Sequence, residues 1–198
     1  MFYKIVRGIA WFVFHLIYRI NVKGKENIPE NEGALICPNH YHWADPVMAA
    51  ISVSRQINFM AKYELFKKPV IRQLVRGLGA FPIKRGEADL NASKTTLRLL
   101  KDKQLVGIFP EGTRIKGGER GIMGKANPGV AVFSVKTRKP VIPVLITGGY
   151  HLFDKMQVTI GEPVELYNYK QGKLGSEDYQ ELSRIIMEKI SGLKREEE

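Results

Sequence analysis

Apolar and polar positions in the first twenty residues repeat at helical spacing. Lys4, Arg7, Gly8, Trp11, His15, Tyr18 and Arg19 fall three or four apart and share one narrow face. Phe2, Ile5, Val6, Ile9, Phe12, Val13, Leu16 and Ile17 fill the wider opposite face. The uncharged run between Arg7 and Arg19 would rise only roughly 16 Å as helix, about half the hydrocarbon thickness of a bilayer, so a spanning helix is not expected. The run ends in Arg-Ile-Asn-Val-Lys-Gly-Lys and not in the small residues of a secretory cleavage site. The pattern predicts that residues 1–20 form an amphipathic helix lying in a membrane interface. Its apolar side faces down, with Trp11, Tyr18 and the basic groups at headgroup level. An ordinary core-facing helix is the plainer alternative.

From residue 21 to 198 short apolar runs alternate with helical periods. Strands are expected at Ile20–Lys23, Ala34–Pro38, Asn58–Ala61, Ala80–Ile83, Leu105–Phe109, Val141–Thr147 and Gln157–Ile160. Helices are expected at Pro46–Val53 with Asp45 as N-cap, at Lys68–Leu78, Glu87–Lys101 and Gly129–Lys136, and at Glu177–Ile190 capped by Ser176. The last helix turns Tyr179, Leu182, Ile186 and Ile190 inward. In the second, Val70, Ile71, Leu74, Val75 and Leu78 share one side, while Lys68, Arg72 and Arg76 recur every four residues on the other. That basic stripe either extends a membrane-facing surface or is a solvated face. The alternation predicts an α/β domain with a mostly parallel central sheet flanked by helices, in which ligands bind at the carboxyl ends of strands.

Charge narrows the partners. A formal net charge of +11 on 198 residues attracts anionic lipid, phosphorylated substrates or nucleic acid. Neither paired RNP aromatics nor a helix-turn-helix signal accompanies it, so nucleic acid is not expected, and a non-catalytic basic module binding lipid or nucleic acid is the rival to an enzyme. The single cysteine, Cys37, excludes a disulfide framework and points to cytosolic conditions.

Three polar clusters stand at expected strand ends. In Asn39-His40-Tyr41-His42-Trp43-Ala44-Asp45 an imidazole ends a strand and a carboxylate begins a helix. The intervening turn can set them face to face, the arrangement that orients a general base. In Phe109-Pro110-Glu111-Gly112-Thr113-Arg114 a turn rich in backbone N–H groups forms an anion nest, to which Arg114 could add a bidentate grip. In Gly79-Ala80-Phe81-Pro82-Ile83-Lys84-Arg85 a strand delivers Arg85 toward the same edge.

Taken in order, Asn-His-x-x-x-x-Asp at 39–45, Gly-x-x-x-x-x-Arg at 79–85, Phe-Pro-Glu-Gly-Thr-Arg at 109–114 and Pro-Val-Ile-Pro-Val at 140–144 resemble the motifs of the glycerolipid acyltransferase family. The likeness is greatest to its bacterial 1-acyl-glycerol-3-phosphate (lysophosphatidic acid) acyltransferases, and it spans roughly residues 35–150. It implies a glycerol-3-phosphate acyltransferase-like fold, His40 and Asp45 as the catalytic dyad, and no cofactor or metal. It also implies Arg85, Glu111, Gly112, Thr113, Arg114 and Lys125 as the acceptor-binding set, with Pro143 shaping the substrate pocket. The acceptor would be lysophosphatidic acid, with another lysolipid or glycerol 3-phosphate as the alternative, and the donor an acyl thioester of coenzyme A or acyl carrier protein. The enzyme would sit peripherally or monotopically on the cytoplasmic face of the cell membrane, held by an anionic surface. Two departures stand out: His42 occupies a position where the family often has a small hydroxyl residue, and Lys84 one where an acidic residue is common.

Rival chemistries need other groups. A metal-dependent hydrolase would use His40, His42 and Asp45 as ligands, and a thiol enzyme would pair Cys37 with His40. Cys37, inside an apolar run, reads as a small buried hydrophobe.

Overall fold

The computed structural model describes residues 2–84, 89–112, 126–170 and 172–196. Seven strands form one sheet in the order β1 (Arg19–Lys23), β7 (Lys155–Ile160), β6 (Val141–Thr147), β2 (Ala34–Pro38), β5 (Leu105–Gly107), β3 (Ile57–Lys62), β4 (Phe81–Ile83). Every neighbouring pair is parallel except β6 with β7. The mostly parallel α/β sheet expected from the alternation of elements is therefore present. Because β6, β2, β5, β3 and β4 run the same way, their carboxyl ends share one edge, where such sheets place ligands.

Both faces are covered, which is why the central strands read as unbroken apolar runs. On one face Leu35, Cys37, Val106, Val141 and Leu145 pack under α4 (Leu90–Lys101), α5 (Gly129–Thr137) and α6 (Ser176–Gly192). On the other face Ile36, Ile142, Val144, Ile146 and Val158 pack under α2 (Asp45–Ser52) and the inner side of α1 (Phe2–Ile17). The remaining helix, α3 (Pro69–Gly77), links β3 to β4.

Several boundaries differ from the expected ones for local reasons. β5 stops at Gly107: the Ile108 amide still donates to Ile36 O at 3.0 Å, and the turn opens at Phe109. The described part of α4 begins at Leu90, where the Asp89 side chain accepts from the Asn91 and Ala92 amides. These donors, with the Lys84 amide, hold the Asp89 carboxyl below the usual range. In α6 the capping residue is Gly175, not Ser176: its amide donates to Asp178 Oδ2 at 2.8 Å, and Ser176 lies inside the first turn.

The amino-terminal helix departs most from its expected orientation. Tyr3, Val6, Arg7, Ala10, Phe14 and Ile17 turn toward the protein, so Arg7 belongs to the docked side and not to a solvated polar stripe. Its guanidinium donates Nε–H to Ala50 O at 2.9 Å, and its Nη2 group to Ile51 O at 3.3 Å and Val53 O at 2.6 Å. It thereby satisfies carbonyls left unpaired at the end of α2 and places a cation at the negative pole of that helix. Tyr18 also points inward, its ring meeting Phe14 and Tyr150. The other side of α1 leaves Phe2, Ile5, Ile9, Phe12, Val13 and Leu16 in the open, Phe12 being 64% and Leu16 67% exposed. Next to it, the Phe2 ring rests where a side chain on Gly77 of α3 would stand. No helix among the described residues is long and apolar enough to cross a membrane.

Removing the guanidinium strands carbonyls at the end of α2. Arg7→Ala is expected to lower stability by about 1–3 kcal/mol, read as a shift in the urea midpoint with unchanged slope.

Candidate active site

Beyond β2 the Asn39 amide still donates to Val144 O at 3.3 Å, and the Asn39 side chain prolongs the pairing. Asn39 Nδ2 donates to Ile146 O at 3.0 Å while its Oδ1 accepts from the Ile146 amide at 2.7 Å. This two-way bridge to β6 pins the residue before His40 to the rigid sheet.

His40 is buried and placed from three directions. Its Nδ1 lies 3.0 Å from Asp45 Oδ2. Its ring stacks on Phe109 with centroids 4.0 Å apart, and Phe109 in turn lies over Phe59 of β3. Its backbone amide donates to Glu111 Oε2 at 3.1 Å. A carboxylate can only accept, so in the neutral ring the proton sits on Nδ1 and the lone pair on Nε2. An imidazole so held can take a proton from a hydroxyl brought to Nε2.

Asp45 is 0% exposed and does not cap α2; Ala44 occupies the cap position without a side-chain bond. The carboxylate folds back over the preceding turn instead. Oδ2 accepts from the Tyr41 amide at 2.8 Å and the His42 amide at 2.7 Å as well as from the imidazole, and Oδ1 accepts from the Tyr150 hydroxyl at 2.8 Å. The Asp-Pro step had pointed to a cap. The turn's own N–H groups compete for that carboxylate and win, while Pro46 still opens the helix.

The loop after β5 follows its sequence closely. Phe109 O accepts from the Gly112 amide at 3.0 Å, closing a turn with Pro110 at its second position and Gly112 at its fourth. Gly112 has φ 72°, open to glycine at no steric cost. Glu111, at the tip, ties this turn to His40. The structure thus brings together His40, Asp45, Glu111 and Gly112.

Other expected site residues lie elsewhere. Thr113, Arg114, Lys125 and Arg85 lie outside the described residues. The strand leading to Arg85 ends at the same edge of the sheet as β2 and β5. Lys84 sits at that strand's end, its Nζ 5.6 Å from the centre of the Tyr63 ring. Pro143 is not brought to the dyad: it lies within β6 opposite Cys37 and lines a groove with Gly161 and Leu193 against α6. The second imidazole, His42, stacks on Tyr150 with centroids 4.1 Å apart, and its Nδ1 accepts from the Ala44 amide at 3.3 Å. Among the described residues no group of three or more His, Cys, Asp or Glu could hold a metal ion. Cys37 is fully buried on the face opposite α2, where desolvation pushes its thiol up and leaves it unreactive.

Sequence reasoning missed three contributors. Asn39 and Phe109 lay within quoted motifs without a role; Tyr150, more than a hundred residues from Asp45, carried no spacing signal at all.

Comparison with known proteins follows the same boundaries. The family model described as Acyltransferase matches residues 19–147. A 1-acyl-sn-glycerol-3-phosphate acyltransferase of Bacillus subtilis is 33% identical over 171 residues, covering 82% of each chain. The protein of that name from Streptococcus pneumoniae is 29% identical, covering 99% of this chain and 74% of its own. The crystal structure of the 1-acyl-sn-glycerophosphate (LPA) acyltransferase PlsC from Thermotoga maritima superposes with a TM-score of 0.76 at 26% identity, over 97% of this chain and 79% of that one.

Deleting the Asn39 amide leaves the buried Ile146 N–H and C=O unpaired. Asn39→Ala should therefore cost about 2–4 kcal/mol in denaturant unfolding, more than an exposed Asn→Ala change.

Proposed function

Because the chain belongs to the acyltransferase family, we propose that it transfers an acyl chain from a thioester to the free hydroxyl of 1-acyl-glycerol-3-phosphate, making phosphatidic acid for phospholipid synthesis. The observation that carries this reading is the buried His40–Asp45 pair, joined through Nδ1 at 3.0 Å. The names of the relatives from Bacillus and Streptococcus, and of the Thermotoga structure, support the acceptor.

In the proposed reaction the acceptor oxygen attacks the thioester carbonyl as His40 Nε2 takes its proton. Asp45 balances the imidazolium formed. The tetrahedral intermediate collapses, the C–S bond breaks, and the departing sulfur receives the proton from His40. An ester and a free thiol result, and the base is restored. No enzyme nucleophile is needed, in keeping with a buried Cys37. The acceptor phosphate is assigned to Arg85, Arg114 and Lys125, and the rest of the acceptor to Glu111, Gly112 and Thr113. Charge-assisted bonds to phosphate would hold the hydroxyl at Nε2, and positioning of this kind supplies much of the acceleration in a two-substrate reaction. The donor is an acyl thioester of coenzyme A or acyl carrier protein, both anionic and suited to a basic protein.

The acceptor and product are lipids, so the site must meet a membrane. The open side of α1 is apolar from Phe2 to Leu16. Val70 and Leu74 of α3 continue it, Val70 being 80% exposed, and Lys68, Arg72 and Arg76 are exposed beside them. Trp43, in the loop that carries the dyad, and Leu152 and Phe153 of the loop after β6 are also open. An apolar surface bordered by cations suits a peripheral enzyme lying on an anionic leaflet such as the cytoplasmic one.

In transfer of a labelled acyl thioester to lysophosphatidic acid, His40→Ala is expected to reduce kcat by about 1,000-fold or more, and Asp45→Asn by a similar factor, with native circular dichroism. Full activity in folded His40→Ala would remove the mechanism. A double change of Phe12 and Leu16 to Asp should weaken binding to phosphatidylglycerol-containing vesicles on the order of 100-fold in a flotation assay. Undiminished flotation would remove the membrane role of this face.

A further inference from the structure

The dyad has a partner that no motif contains. Tyr150 lies in the loop between β6 and β7, and its hydroxyl stands 2.8 Å from Asp45 Oδ1, the carboxylate oxygen turned away from His40. The phenol sits in an aromatic box. Its ring stacks on His42 at 22° between planes, meets the edge of Tyr18 at 5.7 Å, and lies 5.6 Å from Tyr41. Its backbone adopts φ 56°, a left-handed conformation that side-chain-bearing residues occupy at a cost and that tends to persist at functional sites. The loop is anchored at both ends: Gly148 O accepts from the Tyr41 hydroxyl at 3.0 Å, and the Phe153 amide donates to Ile17 O at 2.7 Å. Burial, then the Asp45 charge, pushes the phenol's ionisation well up, so it remains a proton donor.

We propose that Tyr150 is a positioning residue for acyl transfer: its hydroxyl fixes Oδ1 of Asp45, holding Oδ2 on His40 Nδ1, and draws charge from the carboxylate so that the imidazolium formed during reaction is not over-stabilised. The inference rests on the reading of His40 as the base. Its physical content is twofold. A carboxylate anchored through one oxygen can pivot about its Cβ–Cγ bond, and the second anchor removes that freedom. A neutral donor on Oδ1 also weakens the pull of Asp45 on the proton at His40, because hydrogen bonds to an anion disperse its charge. The same ring touches Tyr18 at the end of α1, so the apolar helix and the dyad share one rigid contact.

Among the described residues, the charged and titratable groups around this contact include Asp45, His42, Tyr41 and Tyr18 beside the phenol, and Asp45 and Glu111 beside His40. All of them remain when only the hydroxyl is removed, so a change in pH behaviour reports on that hydroxyl. The sign follows. Without the donor, Asp45 binds the imidazolium more tightly, the base is lost at higher pH, and the acid limb of the rate profile moves up.

The test is Tyr150→Phe beside site-specific 3,5-difluorotyrosine at 150, a stronger donor of nearly the same shape. Transfer to lysophosphatidic acid is followed from pH 5 to 9. For Tyr150→Phe the expected result is a kcat lower by about tenfold, KM values for both substrates within about twofold, and an acid limb raised by about 0.5 pH unit. The fluorinated protein should move the limb down. If Tyr150→Phe does not fold, the direction seen in the fluorinated protein decides alone. A limb that stays in place in the folded variants overturns the proposal, and so does a fall in kcat without such a shift, which marks packing alone. His40→Ala in the same assay separates the two readings: an active His40→Ala removes the dyad itself, whereas an inactive His40→Ala together with an unmoved limb in the Tyr150 variants removes only the role of Tyr150.

Discussion

A carboxylate withdrawn from water must be given donors or it will take up a proton or unfold its surroundings, and Asp45 is fully buried. Much of the local structure follows from that requirement. The turn after β2 curls so that two of its own amides meet Oδ2, the imidazole of His40 supplies a third donor to the same oxygen, and a phenol from the far side of β6 meets Oδ1. The four bonds that keep the charge tolerable also leave the imidazole a single orientation. Satisfying a buried carboxylate and orienting an imidazole are here one piece of physics.

The parallel sheet makes this arrangement usable. The ends of β2, β5 and β4 lie along one edge, so loops far apart in sequence address the same space. Glu111 turns that adjacency into a bond by accepting from the His40 amide, and Phe109 into a packed surface by stacking on the imidazole. On the opposite side Asn39 joins the dyad loop to β6. The His40 imidazole is thus held by both neighbouring strands as well as by its own helix.

Much of this was legible in the residues. The alternation of apolar runs with helical periods indicated the mostly parallel α/β sheet, and His40 and Asp45 stand together as their spacing allowed. The turn at 109–112 has a proline and a glycine where such a turn needs them, which is why so short a loop could be read. Tyr150 was not legible, because a contact between residues a hundred positions apart leaves no local period. The role of Asp45 as a cap was misread for a related reason: Asp-Pro speaks for a helix start, but the choice between capping and serving the preceding turn is made by three-dimensional competition for one carboxylate. In α1 the helical period was plain, yet Arg7 fell on the wrong side of the helix, since its partners are carbonyls at the end of α2. Membership of the acyltransferase family then joins these pieces to a reaction.

The central claim, that Asp45 holds His40 through Nδ1 and leaves Nε2 as the base, concerns one proton on one ring. Nitrogen-15 NMR of the histidine-labelled protein above the imidazole titration reads that proton directly. The account predicts a pyrrole-type Nδ1 and a pyridine-type Nε2 for His40, with the Nδ1 shift changed in Asp45→Asn. A ring protonated at Nε2 in the native protein, or one whose shifts ignore the loss of the Asp45 charge, would contradict it.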